Sequence, residues 1–505
     1  MNLTRRAALG AALATPLAGN RSHAATRTPG LLVFGLSSYP PNLLPWNNSG
    51  TAAQTVKMQI HRGLLSLDAA GALRGELAQS WERSGGLGWL FRLRPAVFHN
   101  GAPVTAADVK WSIEQAAGEK STAYLKADMQ GIARIDTPDA ATVLIVMKEP
   151  SAVLPAQLAS PHMPVLARGE PGAAAVGCGP YVMKAQERGV SVDLEAFPRF
   201  YKPGLPKTRA LRFVAYADEN LRVAALQAGD VDVIEYVPWQ SMTAIEADQR
   251  LKLDNTDGPF MGLNFNGAQG PFTNKLVRQA VAFAVRREEI VNAAFFGRGT
   301  PLTGLPIPPS SRFYDEKRAH HWSYDPDRAR ALLAKAGVAN GFSCTLLSTA
   351  QYGMHKSTAE IVQQNLAAIG VQVTLNLPDW ATRVTLGGRG QYEFCVQGTS
   401  TDNGDPDAMA VLLDGELPAN ISRSFALRTP ELHALFAAGR AAFDVEKRRA
   451  IYAEMEMRAL DDCPLVGLAW RAQGYAMAKD LLGFRNLPGP ATFFSGLTLE
   501  DAYFA

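Results

Sequence analysis

No stretch of this chain announces a catalytic centre. Its 505 residues hold no G-x-S-x-G turn, no H-E-x-x-H pair and no G-x-x-x-x-G-K-[ST] loop. The commonest serine hydrolase, zinc peptidase and P-loop readings therefore fall away. Cysteine is scarce: Cys178, Cys344, Cys395 and Cys463 lie far apart with no C-x-x-C among them, which excludes a zinc site of that kind. The eight histidines do not cluster, and His320-His321, near Pro308-Pro309-Ser310-Ser311 and without a spaced third ligand, reads as a wet loop. Charge of one sign is missing too, with 50 basic residues against 47 acidic. No apolar run is long enough to span a bilayer.

The first residues carry a three-part plan. Leu3-Thr4-Arg5-Arg6-Ala7-Ala8-Leu9 sets two arginines before a mostly apolar run from Ala7 to Leu17, and Ser22-His23-Ala24 supplies small residues after it. Charged, apolar and small regions in that order form an export leader, expected to be cut near Ala24 in the periplasm. The paired arginines point to the twin-arginine route, although Sec leaders carry such pairs as well. No cysteine follows to take a lipid anchor. Removing Arg5, Arg6 and Arg21 with the leader takes away the whole positive surplus. A neutral mature chain gives no electrostatic case for nucleic acid or anionic membrane as partner. The oxidising compartment permits a disulfide; buried free thiols are the other reading, since Cys344 and Cys395 sit in strand-like segments.

A mature length of about 480 residues exceeds what one core usually serves, so two or more lobes are expected. Leu31 to Leu36 reads as a buried first strand and Thr142 to Met147 as another. Thr105 and Asp108 form a capping box variant for a helix. Leu211–Tyr216, a helix Asn220–Ala228 and a Gly229 cap follow. Gly262 to Asn266 is a strand, and Thr273 is placed to cap a helix Lys275–Phe295. Another helix begins at Asp325-Pro326 and ends at Gly337. Cys344 to Ser348, a helix capped by Ser357 with Glu360, and Val371 to Leu375 form a βαβ unit. The fold class is α/β with mixed sheets.

Several segments together resemble extracellular solute-binding proteins of peptide-type ABC importers, family 5. They are Gly75–Ile113, with its Trp-bearing strand and His-Asn-Gly turn; Val176–Tyr181; Arg222–Val233; Val277–Val285; and Tyr324-Asp325-Pro326. Cys178 stands where the family usually has Thr. The resemblance implies a two-lobed periplasmic binding protein fold, with hinge-connected lobes and an extra subdomain inserted in lobe one. Mapped onto this chain, residues 1–24 are the leader, 27–63, 176–265 and 475–505 lobe one, 64–175 the inserted subdomain, and 266–474 lobe two. It also implies a carrier that closes on its solute and docks on a membrane permease driven by a cytoplasmic ATPase. Such a carrier is expected to be monomeric and to need no cofactor, catalytic residue or directly bound metal.

The same resemblance suggests where the solute sits. In Thr401-Asp402-Asn403-Gly404-Asp405-Pro406-Asp407, Asp402 corresponds to the aspartate that pairs with a peptide α-amino group, while turn chemistry alone makes the segment an acidic surface turn. The arginine that grips the peptide carboxylate in dipeptide binders is missing from Ser348–Gly353. Arg383 can take over, or it is a solvated helix residue. Tyr39, Trp239, Tyr352 and Trp380 are candidates to line the pocket against core packing as the alternative, and Thr399 and Asn264 are polar candidates at strand ends. The expected solute is a peptide or a peptide-like, amine-bearing molecule such as an opine. A carrier of chelated metal or haem, and a periplasmic hydrolase, are the competing readings.

Overall fold

A computed structural model of the chain describes residues 27–47, 49–169 and 176–505. The leader expected over residues 1–24 lies outside the described residues. Among them, no helix is long and apolar enough to cross a membrane.

One extended sheet runs through both lobes. Its strands follow the order Gln372–Asn376, Ser343–Leu347, Phe394–Thr399, Leu251–Phe265, Leu465–Ala478, Val233–Ile234, Leu31–Leu36, Ala210–Ala215, Ser191–Ala196 and Tyr181–Glu187. The first three strands fall within 266–474, the segment expected to form lobe two, and the last five within the segments expected to form lobe one. Two long antiparallel strands, Leu251–Phe265 and Leu465–Ala478, cross from lobe to lobe. Their register breaks between Asp257 and Phe260. Gly258 occupies the break because a Cβ there would lie 2.1 Å from the Gly489 carbonyl oxygen. This crossing joins the two ends of the sheet.

Within lobe one, Leu31–Leu36 pairs in parallel with Ala210–Ala215 on one side and Val233–Ile234 on the other. Within lobe two, Ser343–Leu347 pairs in parallel with both Gln372–Asn376 and Phe394–Thr399. The inner strands Leu31–Leu36, Val233–Ile234 and Phe394–Thr399 are mostly buried, which suits apolar runs, whereas the edge strand Gln372–Asn376 buries fully only Val373. The parallel strands of both lobes point their carboxyl ends at the gap between the lobes, the usual ligand position in open α/β sheets. The βαβ unit read from the sequence is present, but its helix runs Gly353–Ala367 with Tyr352 as N-cap, so Ser357 lies inside it. The helix expected over Lys275–Phe295 is two helices, Lys275–Ala284 capped by Asn274 and Arg287–Phe295. Extended Val285 separates them, and the Arg287 guanidinium turns inward to take the Ala282 and Val285 carbonyls.

The inserted unit is a four-stranded antiparallel sheet, in the order Ala78–Ser84, Gly88–Leu93, Thr142–Met147, Ile132–Asp139. Helix Ala106–Ala117 covers it, opened by a capping box of Thr105 and Asp108. Its core continues into Leu487, Phe494 and Leu497 of the C-terminal tail. A buried ionic knot of Arg62, Glu76, Glu500 and Lys202 fastens that tail to lobe one. The unit also touches lobe two: Ala152 N donates to Arg440 O at 2.7 Å, and Trp89 packs 6.1 Å from Phe443. All four cysteines are buried free thiols.

Candidate ligand-binding cleft

The lobe-one wall is built at the carboxyl edge of its parallel strands. Glu235 is fully buried, and its carboxylate accepts from Ser37 N at 2.9 Å and Ser37 Oγ at 2.6 Å. Next to it, Tyr236 takes φ +48°. Its ring stacks on Phe493 at 5.9 Å, its hydroxyl lies 3.2 Å from Thr51 Oγ1, and burial pushes its ionisation upward.

Opposite stands Arg471, on the crossing strand. Its Nη1 donates to the thioether of Met354 at 3.2 Å and its buried Nε has no hydrogen-bond partner among the described residues. Among the described residues no carboxylate pairs with it, and burial lowers its pKa against the pull of the Tyr236 phenol. Met354 and His355 open the first turn of helix Gly353–Ala367. His355 is buried, its Nδ1 unpartnered; burial first, then the charges of Arg383 and Arg471, push it down to about 3, so it is neutral.

Behind His355 lies an aromatic layer. Trp380 meets Tyr352 edge-on at 5.2 Å and His355 at 5.5 Å. Trp380 starts the helix Trp380–Gly388, which Asp379 caps by accepting from Thr382 N. Arg383, one turn on, therefore comes to lie beneath the indole, with its guanidinium carbon 5.1 Å from the ring centre. Its Nη2 donates to Val396 O and Gln397 Oε1, each at 2.6 Å, whereas Nε and Nη1 have no hydrogen-bond partner among the described residues. Far from being solvated, Arg383 is 1 % exposed and without a carboxylate partner among the described residues. Two buried cations and one neutral histidine leave this end of the cleft positive.

A second group of candidates is acidic. The loop after Phe394–Thr399 carries three aspartates with different fates. Asp405 is gripped by Arg448 at 2.8 and 3.0 Å, and Asp407 by Arg440 at 2.9 Å. Asp402 has no cation among the described residues; it accepts from the hydroxyl of Tyr124, on the inserted unit, at 3.0 Å. Burial pushes Asp402 up to about 6, against the pull of that hydroxyl. Asp128 is likewise pushed to about 6, by burial and then by the Asp402 charge. A cavity of about 550 Å³ opens beside Asp402, lined also by Leu125, Gln157, Phe313 and Phe494.

Tyr352, Trp380 and Arg383 thus stand together, and Asp402 faces the inserted unit. Thr399 ends its strand half-buried, its hydroxyl turned to Ser400 O at 3.4 Å. Asn264 is elsewhere: its strand runs antiparallel to Phe394–Thr399, so its carboxyl end reaches the far edge of lobe two, where Asn264 pairs with Cys395 in the interior. Trp239 is fixed against the crossing strand, donating to Ala472 O at 2.7 Å and packing edge-on against Phe295. Tyr39 packs on the lobe-one core and accepts from Gln186 on the edge strand. Sequence reasoning missed Tyr236, His355, Arg471, Tyr124 and Asp128. Arg471 alone had a signal, as a lone cation in the apolar run Leu465–Ala478.

The family model for bacterial extracellular solute-binding proteins, family 5, matches residues 72–420. The glutathione-binding protein GsiB of Pectobacterium atrosepticum is 29 % identical over 488 residues, 93 % of each chain. Among solved structures, AgaA of A. tumefaciens in complex with agropinic acid is 39 % identical with TM-score 0.85, covering 94 % of this chain and 99 % of AgaA. DppA of Helicobacter pylori, solved with a peptide, shares the fold at TM-score 0.81 and 20 % identity, covering 95 % of this chain and 98 % of DppA.

Proposed function

The chain belongs to the bacterial extracellular solute-binding proteins of family 5, and from that premise we propose that its solute is a small zwitterion of peptide or opine kind. Proteins of this family are periplasmic, bind small solutes and work with an ABC permease, so the chain is a carrier and not an enzyme. The solute's carboxylate lies against Arg471, with the Arg383 charge behind it, and its amine lies at Asp402. The leader Leu3–Ala24 supports export, and a monomer closing about the Gly258 hinge completes the reading.

Arg471 carries this proposal. A guanidinium that is buried with a thioether as its acceptor is costly, and a ligand carboxylate supplies what the protein withholds. The relative solved with agropinic acid, an acid by name, and those named for binding glutathione support a small solute of this kind. Titration calorimetry of Arg471→Met with agropinic acid, glutathione and dipeptides tests it. We expect a loss of about 2–5 kcal/mol, roughly 30- to 5,000-fold, for the acid that wild type binds. Unchanged affinity removes Arg471 from the site and the carboxylate from the proposal.

A further inference from the structure

We infer that Arg222 is the positioning residue of the lobe-one wall, holding Tyr236 in a left-handed backbone conformation that aims its phenol into the cleft. The inference rests on the proposed cleft and adds to it a ligand-contacting side chain and the group that sets it.

Left-handed φ suits glycine or asparagine, and for an aromatic residue it is an outlier that surroundings must enforce. The enforcing group is visible. Arg222, on helix Glu219–Ala228, is 3 % exposed and has no carboxylate within ion-pair distance among the described residues. It donates instead to three carbonyls: Tyr216 O at 2.7 Å, Glu235 O at 3.1 Å and Tyr236 O at 2.9 Å. Tyr216 follows the strand on one side of Leu31–Leu36, and Glu235-Tyr236 follow the strand on the other. One guanidinium therefore ties together the carboxyl ends of the two strands that flank Leu31–Leu36 and fixes the Tyr236 peptide. So held, the phenol reaches Thr51 Oγ1 and comes within electrostatic range of Arg471 and Tyr352 on the opposite wall. Arg222 itself stays behind the wall.

The test separates backbone strain from loss of a ring. Tyr236→Ala and Tyr236→Gly both delete the phenol, but glycine alone relieves the left-handed backbone; at ordinary positions alanine is the more stable of the two. In ligand-free protein, calorimetry should show Tyr236→Gly melting above Tyr236→Ala, with the order reversed once Arg222→Met releases the carbonyls. With agropinic acid and glutathione as probes, Arg222→Met should weaken binding at least ten-fold in the Tyr236 protein and add no further loss in the Tyr236→Ala background. Arg222→Lys, which keeps one donor, should recover part of the affinity and covers the case in which the methionine variant folds poorly. Alanine melting at or above glycine at position 236, or Arg222→Met binding like wild type, overturns the inference. Failure of wild type to bind either acid instead overturns the proposed solute, and the ligand-free comparison alone then decides the role of Arg222.

Discussion

Arg287 and Arg471 are both buried arginines in strand-rich surroundings without a carboxylate partner among the described residues, yet the chain treats them oppositely. Arg287 sits in the lobe-two core and spends its donors on the carbonyls of Leu302, Gly467, Trp322, Ala282 and Val285, at 2.7–3.3 Å. Arg471 sits where the lobes meet and has a thioether acceptor and an idle Nε. Burial of charge therefore does not by itself mark a site. The unspent hydrogen bond does, because an unmade bond costs more than a made one contributes. Asp405 and Asp402 repeat the contrast with opposite sign: the first is locked to Arg448, and the second has no cation among the described residues.

The largest effect expected from this contrast belongs to Arg287→Met, which orphans five carbonyls and should cost about 3–5 kcal/mol of stability by calorimetry. The same substitution at Arg471 should leave the ligand-free melting temperature unchanged or raised while affinity falls. A stability loss at Arg471 matching that at Arg287 breaks the comparison.

A smaller effect should appear with pH. Asp402 and Asp128 stand near 6 when folded, above the usual 3.8, so folding favours their acid forms. Their stabilisation is complete below about pH 4 and lost as pH rises through 6. Urea unfolding of ligand-free protein across that window should show a falling stability that Asp402→Asn flattens. A bound ammonium should reverse the slope, and a profile unchanged by Asp402→Asn would mean that this carboxylate is not the one left unpaired.

The smallest effect is expected at Tyr39. Its hydroxyl serves Gln186 at the sheet edge, so Tyr39→Phe should change affinity and stability by less than about 0.5 kcal/mol each. A tenfold loss of affinity would bring Tyr39 back to the cleft.

Much of the fold was legible because its signals are local. Thr105 with Asp108, Gly229 at φ +80° and the parallel pair Ser343–Leu347 with Gln372–Asn376 all stand where short-range chemistry places them. The errors came from local patterns overridden by distant partners. Ser357 and Glu360 have capping-box spacing, but the helix starts at Gly353, where the Ser348 hydroxyl holds the His355 carbonyl. The uninterrupted amphipathic pattern of Lys275–Phe295 breaks at Val285 because Arg287 is drawn inward. Asn264 is a strand end in the sequence, but strand direction, which pairing decides, puts it at the edge away from the cleft.

By itself the sequence determined the α/β class and the family, and it named Tyr352, Trp380 and Arg383 as candidates. Only the tertiary structure joined them to Tyr236 and Arg471, and only it separated the free aspartate from the two bound ones. The difference lies in range. A cap or a turn is settled among residues four apart, whereas the availability of a charge depends on a partner such as Arg448, which reaches Asp405 from 43 residues further along the chain.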